Sequence, residues 1–223
     1  RNISLPILST VLLKTENSRL RLTTTNLELG INYWVGAKIN QEGEIAVPAR
    51  VFSDFIGNIT DEKITLKTIK QVLTVTSDHY QGSILGLDTK EFPIIPKVQT
   101  NTKLKIDKNS LRAALLSVLD ATALSETRPE LAGVFINFTP KQIEFAATDT
   151  FRLAERIIPI KDGVARSLIL PRLTALELIR LSEENTADLT LAVGDNQLFV
   201  QGENFEFISR LIDGHYPEYK KVI

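Results

Sequence analysis

Alternating apolar and polar positions run through most of this chain and predict strands, while three stretches switch to the three-to-four spacing of a helix. Residues 5–13 (LPILSTVLL) and 19–29 read as strands around the polar turn Glu16-Asn17-Ser18, and 31–39 continues the meander. After a turn at 40–43, Ile45-Ala46-Val47 is a short strand. Pro48 supplies the rigid first position of a helix to about residue 59. Val51, Phe52, Phe55, Ile56 and Ile59 form its apolar stripe, with Arg50, Ser53, Asp54 and Gly57 facing away. Residues 63–68, 71–77 and 81–87 return to alternation. The proline-punctuated stretch from Phe92-Pro93 to about residue 101 reads as a domain linker.

The second half follows the same plan. A strand (LKI) precedes a helix capped by Asp107, or by Asn109-Ser110, and running to about residue 123. Leu111, Ala114, Leu115 and Val118 share its apolar face; Arg112, Ser117 and Asp120 lie off it. The loop SETRPE (125–130) leads to strands at 132–138, 142–148, 152–160 and 167–170. Pro171 opens a helix to about residue 183, and strands follow at 189–193, 197–201 and 205–211. A complete unit is therefore two helices packed on antiparallel strands, an α+β fold, and the missing βαβ alternation argues against a doubly wound parallel sheet.

Both halves are copies of one unit. LRLTTTNLELGI at 20–31 echoes IEFAATDTFRLAERIIPI at 143–160: a strand, a small-residue run, Thr followed by Asn or Asp, then a second strand. Thr25 and Thr148 lie 123 positions apart, and the same spacing pairs Val11 with Val134, Leu12 with Phe135 and Pro48 with Pro171. Stretched by one or two residues, it pairs Leu66 with Leu191, Leu73 with Leu198, Val75 with Val200 and Phe92-Pro93 with Tyr216-Pro217. The strand and helix that open the second unit have no counterpart after Arg1, and there is no methionine to initiate. The chain reads as a piece of something longer.

Composition narrows the function classes. At 223 residues, 43% hydrophobic and 24% charged, the chain supports two ordinary cores. A net charge of −1 confines any nucleic-acid contact to one side of the protein. Zero cysteines exclude disulfides, thiolate metal sites and a Cys nucleophile, and suit a reducing compartment. With no run of 18 apolar residues and no signal peptide in RNISLPIL, the expectation is a cytoplasmic protein without a membrane partner.

The search for reaction chemistry returns negatives. No phosphate-loop, dinucleotide, nucleophile-elbow or zinc-protease motif occurs. His79 and His215 read as exposed turn residues without metal-ligand spacing. Asp149 could be cast as a general base, but Asn26 fills its place in the first copy and could accept no proton. A turn role explains both. No catalytic residue, metal or cofactor is expected. Arg50 and Arg172 follow the helix-opening prolines, so both repeats would present a guanidinium at matching places beside a helix N-terminus, a geometry that suits phosphate. Arg112, Arg128 and Arg180 could join that face or could be solvated surface.

Five ordered motifs then carry a resemblance: S-L-P-I-L-S-x-V-L-L at 4–13, V-P-A-R at 47–50, R-P-x-L-x-G at 128–133, A-T-D-x-x-R-L-A at 147–154 and D-G-x-Y-P-x-Y at 213–219. Together they resemble the bacterial DNA polymerase III beta subunits, the replicative sliding clamps, over essentially the whole chain. The resemblance implies a DNA-clamp fold. Residues 1–100 would be the first clamp domain without its N-terminal strand and helix, and 101–223 the second, central domain, with the third domain absent. Family members close head to tail as homodimeric rings around double-stranded DNA, without sequence preference. They hold the DNA polymerase III alpha subunit, the clamp loader and other clamp-binding-motif proteins.

Residue by residue, the resemblance implies a partner-peptide pocket at Leu131, Thr148, Thr150, Phe151, Arg152, Leu153, Pro217, Lys221 and Val222. Thr150 replaces a frequent Gly, and Phe151 stands where many members carry His or another polar residue; both bear on the width of the groove. DNA contacts would fall on Arg1, Arg50, Arg128 and Arg172. The edge strand 81–87 resembles the first domain's side of the dimer interface. The implied function is a non-enzymatic processivity factor that acts by raising local concentration. Two rivals remain: an enzyme with a site between repeats, which needs an acid–base cluster not found here, and a peptide-binding adaptor without a DNA role, which could dispense with the matched arginines.

Overall fold

The computed structural model describes residues 5–95, 103–125, 127–161 and 163–221. Two compact units divide the chain, Arg1–Pro96 and Lys97–Ile223. Most of the linker stretch, with Arg1 and Val222, lies outside the described residues.

Unit 1 contains β1 (Thr10–Glu16), β2 (Arg19–Thr25), β3 (Leu29–Gly36), β4 (Glu44–Pro48), α1 (Ala49–Gly57), β5 (Thr65–Ile69), β6 (Val72–Thr76) and β7 (Gln81–Leu85). Its strands pair antiparallel in the orders β4-β1-β2-β3 and β5-β6-β7. Asn17 and Ser18 both take positive φ, 47° and 63°, the primed-turn geometry whose twist suits the β1–β2 hairpin. Val11, Leu13, Ile45, Val47, Phe52, Leu73, Val75 and Ile84 form the core.

Unit 2 contains β8 (Lys103–Ile106), α2 (Lys108–Leu119), β9 (Gly133–Phe138), β10 (Gln142–Thr148), β11 (Leu153–Pro159), β12 (Arg166–Pro171), α3 (Arg172–Glu184), β13 (Leu189–Val193), β14 (Gln197–Gln201) and β15 (Phe205–Arg210). The strand orders are β12-β9-β10-β11 and β15-β14-β13-β8, again antiparallel. Asp107 caps α2, its carboxylate accepting from the Ser110 N–H and hydroxyl at 2.7 Å each. Leu111, Ala114, Leu115 and Val118 are buried, as the spacing predicts.

Strand registers repeat between the units. Thr10↔Pro48, Leu13↔Leu22 and Thr25↔Gly30 in unit 1 become Gly133↔Pro171, Ile136↔Phe145 and Thr148↔Leu153 in unit 2, each residue moved by 123. Leu66↔Val75 and Leu73↔Ile84 become Leu191↔Val200 and Leu198↔Ser209, each moved by 125. Because a one-residue slip would turn every side chain to the wrong face, shared register means a shared core. The units differ in cover. α2 packs on β10 and β11, and residues 143–147 of β10 are all buried. Their unit 1 equivalents in β2 stay mostly half-exposed, since α1 is the only α-helix of unit 1 among the described residues.

Several expectations need correction. Residues 5–13 are not one strand: Pro6–Ser9 is a 3-10 turn and β1 starts at Thr10. The Ser9 and Thr10 hydroxyls donate back to the Pro6 and Ile7 carbonyls at 2.6 Å, offering the backbone an alternative to a ladder. Pro48 and Pro171 are N-cap residues with extended ψ of 115° and 144°, not the first helical positions. Both prolines also end strands, and that pairing keeps them extended. α1 stops at Gly57 and α2 at Leu119, short of the predicted ends. Val51 is 52% exposed and leaves the apolar stripe.

Candidate functional site

The duplicated Thr-Asn/Asp motif folds into the same turn twice. In unit 1, Thr25 Oγ1 donates to the Leu29 carbonyl at 2.8 Å and accepts from the Leu27 N–H at 3.0 Å. Asn26 Oδ1 accepts from the N–H groups of Glu28 and Leu29 at 3.0 and 2.7 Å. In unit 2, Thr148 Oγ1 donates to the Arg152 carbonyl at 2.7 Å and accepts from the Thr150 N–H at 3.1 Å. Asp149 Oδ1 accepts from the N–H groups of Phe151 and Arg152 at 3.0 and 2.9 Å. Leu27 and Thr150 take matching left-handed φ values of 75° and 79°. Asp149 is a turn residue, as the comparison with Asn26 predicts. The Arg152 N–H first, then the Phe151 N–H and the Arg152 guanidinium at 2.9 Å, hold its carboxyl below the usual range despite the opposing desolvation. A carboxylate so engaged is a poor base.

The turn also presents side chains. Phe151, at its tip, is 97% exposed, an unusual state for a large apolar ring. Arg152 is largely exposed on its ion pair with Asp149. Leu153 begins β11 half-buried, while Leu131 is buried beneath the surface.

A second group comes from the closing segment, 213–221. Tyr216 stacks on Phe135 with ring centroids 4.8 Å apart, and Tyr219 meets both rings edge-on at 6.2 and 6.3 Å. The Tyr219 hydroxyl donates to Glu155 Oε1 at 2.7 Å. Lys220 Nζ pairs with Glu144 Oε1 at 2.5 Å. Glu144 is buried, with Asn137 and Gln142 donating to it at 2.9 and 2.8 Å. Burial opposes its charge, but Lys220 and the two amides outweigh it, and its pKa lies below the ordinary value. Burial pushes the Tyr216 phenol up to about 12; its hydroxyl has no partner in hydrogen-bond geometry, although the Thr148 backbone lies close by. Pro217 and Lys221 lie on this segment two residues to either side of Tyr219, and Lys221 pairs with Glu218. The residues that seat the segment, Tyr216, Tyr219, Glu144 and Glu155, are scattered in sequence; only the tyrosines of D-G-x-Y-P-x-Y flagged the place.

The arginines part company. Arg50 has a side chain 93% exposed, with Asp54 at a loose 3.9 Å. Arg172 is 27% exposed and turned inward: Nη1 donates to the Leu119 carbonyl and, at 2.7 Å, to Thr122 Oγ1, while Asp120 lies 3.7 Å from Nη2. It closes the C-terminus of α2. The expected matching guanidiniums are therefore not matched, because Arg172 is the repeat counterpart of Ala49 and Arg50 that of Leu173. Arg128 pairs with Glu130 at 2.9 Å. Arg112 pairs with Glu183 at 3.1 Å, and Arg180 with Glu177 and Glu184 at 3.1 and 2.8 Å.

His79 has a partner that sequence reading missed. Asp61, 18 positions away, bonds its Nδ1 at 2.8 Å and its N–H at 3.0 Å. The His79 ring, followed by Ser77 and the His79 N–H, holds the Asp61 carboxyl at about 2. Among the described residues no group of three or more His, Asp or Glu is placed to hold a metal, and no helix is long and apolar enough to cross a membrane.

Comparison with known proteins covers both units. Residues 1–96 match the N-terminal domain of the DNA polymerase III beta subunit, and residues 105–218 its central domain. The beta sliding clamp of Staphylococcus aureus is 28% identical over 96% of the chain, which spans 60% of that relative's length. A Thermotoga maritima DNA polymerase III beta subunit superposes with a TM-score of 0.93 at 25% identity, covering 100% of this chain and 62% of that one. The Pseudomonas aeruginosa sliding clamp, solved bound to griselimycin, gives 0.93 at 28% identity over the same shares. With two consecutive domains matched and one set of strand registers running through both, the chain belongs to the DNA polymerase III beta subunit family and has its sliding-clamp fold.

Proposed function

We propose that the protein works as a DNA sliding clamp, a non-enzymatic processivity factor that encircles duplex DNA and tethers the replicative polymerase and other proteins through a peptide pocket. The observation that carries this reading is the pair of consecutive clamp domains with common register. Binding is sequence-independent and made to phosphates. Of the candidate DNA contacts Arg1, Arg50, Arg128 and Arg172, the exposed Arg50 is the freest of those described, and Arg172 acts chiefly on its own fold. In the full-length protein, Arg50→Glu shortens retention on closed circular DNA and flattens its salt dependence. Unchanged retention rejects the DNA-facing assignment.

The pocket comprises Leu131 as floor, the turn residues Thr148, Thr150, Phe151, Arg152 and Leu153, and Pro217, Lys221 and Val222 from the closing segment. Aliphatic walls with polar edges suit an extended peptide with apolar anchors. A Q-L-x-L-F-type peptide, the motif by which a polymerase alpha subunit or clamp loader would attach, binds the full-length protein, and Leu153→Ala with Pro217→Ala weakens it. Equal affinity in that variant removes the pocket. The full-length protein is a homodimeric ring in this reading, testable by sedimentation.

A further inference from the structure

Within unit 2 the closing segment has an unusual support. Among the described residues its only backbone hydrogen bonds are local, Tyr219 N–H to the Pro217 carbonyl at 2.7 Å and Lys221 N–H to the Glu218 carbonyl at 3.0 Å, and it pairs with no strand. Its place therefore depends on side chains. Two of them cross to the β10–β11 hairpin, Tyr219 to Glu155 on β11 and Lys220 to Glu144 on β10. That hairpin carries the 148–152 turn at its end. Of the pocket residues, Thr148, Thr150, Phe151, Arg152 and Leu153 belong to the hairpin and Pro217 and Lys221 to the segment, and these contacts join the two.

The repeat supplies a control. In unit 1 the equivalent segment is seated by apolar contact: Phe92, matching Tyr216, is buried with Ile7 and Ala46, and Ile95, matching Tyr219, covers Gly30 so closely that a Cβ there would lie 2.8 Å from it. The positions of Glu144 and Glu155 hold Arg21, paired with Glu16, and Asn32, bonded to Thr23. The fold therefore closes this face without a buried carboxylate. Burying the Glu144 carboxylate costs desolvation that apolar packing avoids, and its half-exposed partner Lys220 adds little stability in return, so the contact is better suited to fixing where the segment lies.

We infer that Tyr219 and Lys220 are positioning residues, which through Glu155 and Glu144 hold Pro217 and Lys221 in register with the 148–152 turn for an extended peptide carrying apolar anchors. The inference rests on the pocket reading. Preorganised walls bind more tightly than walls that must be ordered on binding.

Fluorescence anisotropy with a labelled Q-L-x-L-F peptide on the full-length protein tests it, with retention on circular DNA measured in parallel. Tyr219→Phe plus Lys220→Met weakens the peptide by about tenfold and leaves DNA retention unchanged; Lys220→Arg with Tyr219 intact restores wild-type affinity. Peptide affinity within twofold of wild type in the double variant, or a parallel loss of DNA retention, overturns the inference. The Leu153→Ala plus Pro217→Ala arm separates the two readings: if that variant binds like wild type, the pocket itself fails and the inference falls with it.

Discussion

In unit 1 the outward faces of β1 and β4 meet Ile7, Leu8, Leu87 and Phe92 around Leu12 and Ala46, an apolar seal. In unit 2 the same face, across β9, β10 and β11, meets Tyr216, Tyr219 and Lys220 around Phe135, Glu144 and Glu155, a seal of stacked rings with charged pins. Backbone registers are common to both. Shared strand register with different chemistry on one face separates what the fold requires from what a site adds. The 25–29 and 148–152 turns make the same point: their hydrogen bonds coincide, yet one tip carries Glu28 and the other a bare phenylalanine.

Equivalent cores should respond alike to the same truncation. Leu73 and Leu198 occupy matching positions and are each 1% exposed. Leu73→Ala and Leu198→Ala should each destabilise their unit by about 2–5 kcal/mol, read by Trp34 fluorescence for unit 1 and hydrogen exchange for unit 2. A negligible loss at one alone would mean the cores are not equivalent. The arginines come next. Arg172→Ala leaves the Leu119 carbonyl without its charged partner and costs about 2 kcal/mol, while Arg50→Ala stays within about 0.5 kcal/mol, both by urea denaturation. Equal costs would restore the matched pair that the sequence suggested.

The turns give a smaller effect. Leu27→Gly and Thr150→Gly relieve left-handed backbones and raise stability by up to about 1 kcal/mol, with the β-branched Thr150 gaining more. A lower thermal midpoint in either would show that the side chain there makes up for the strain. Smallest is a pH effect confined to unit 2. The Tyr216 phenol is raised from 10.0 to about 12 by burial, so the folded state favours the neutral ring. Its contribution is whole below pH 10 and is lost as pH climbs towards 12. Wild type should therefore lose stability relative to Tyr216→Phe across that window, whereas Phe92 in unit 1 has nothing to titrate. A constant difference between the two proteins would contradict the burial.

Sequence pattern placed β10, β13 and β14, each flanked by strands on both sides, at their observed bounds. It failed where a few local hydrogen bonds decide. The Ser9 and Thr10 hydroxyls converted a predicted strand into a 3-10 turn, and strand pairing held Pro48 and Pro171 outside their helices. Asp149 was legible as a turn residue because Asn26 repeats it. Arg172 was misread because neighbouring positions after a proline point in different directions around a helix.

Duplication is written in the chain itself: a 123-residue offset in apolar positions sets both cores, since burial follows side-chain period and period is a property of sequence. Which arginine faces water, which acid is buried and what pins the closing segment were settled only by folding. Those properties belong to pairs such as Arg172 with Leu119 or Lys220 with Glu144, whose members lie 53 and 76 residues apart. A charged side chain takes its role from the partner that packing brings within about 3 Å, and no spacing rule reaches that far.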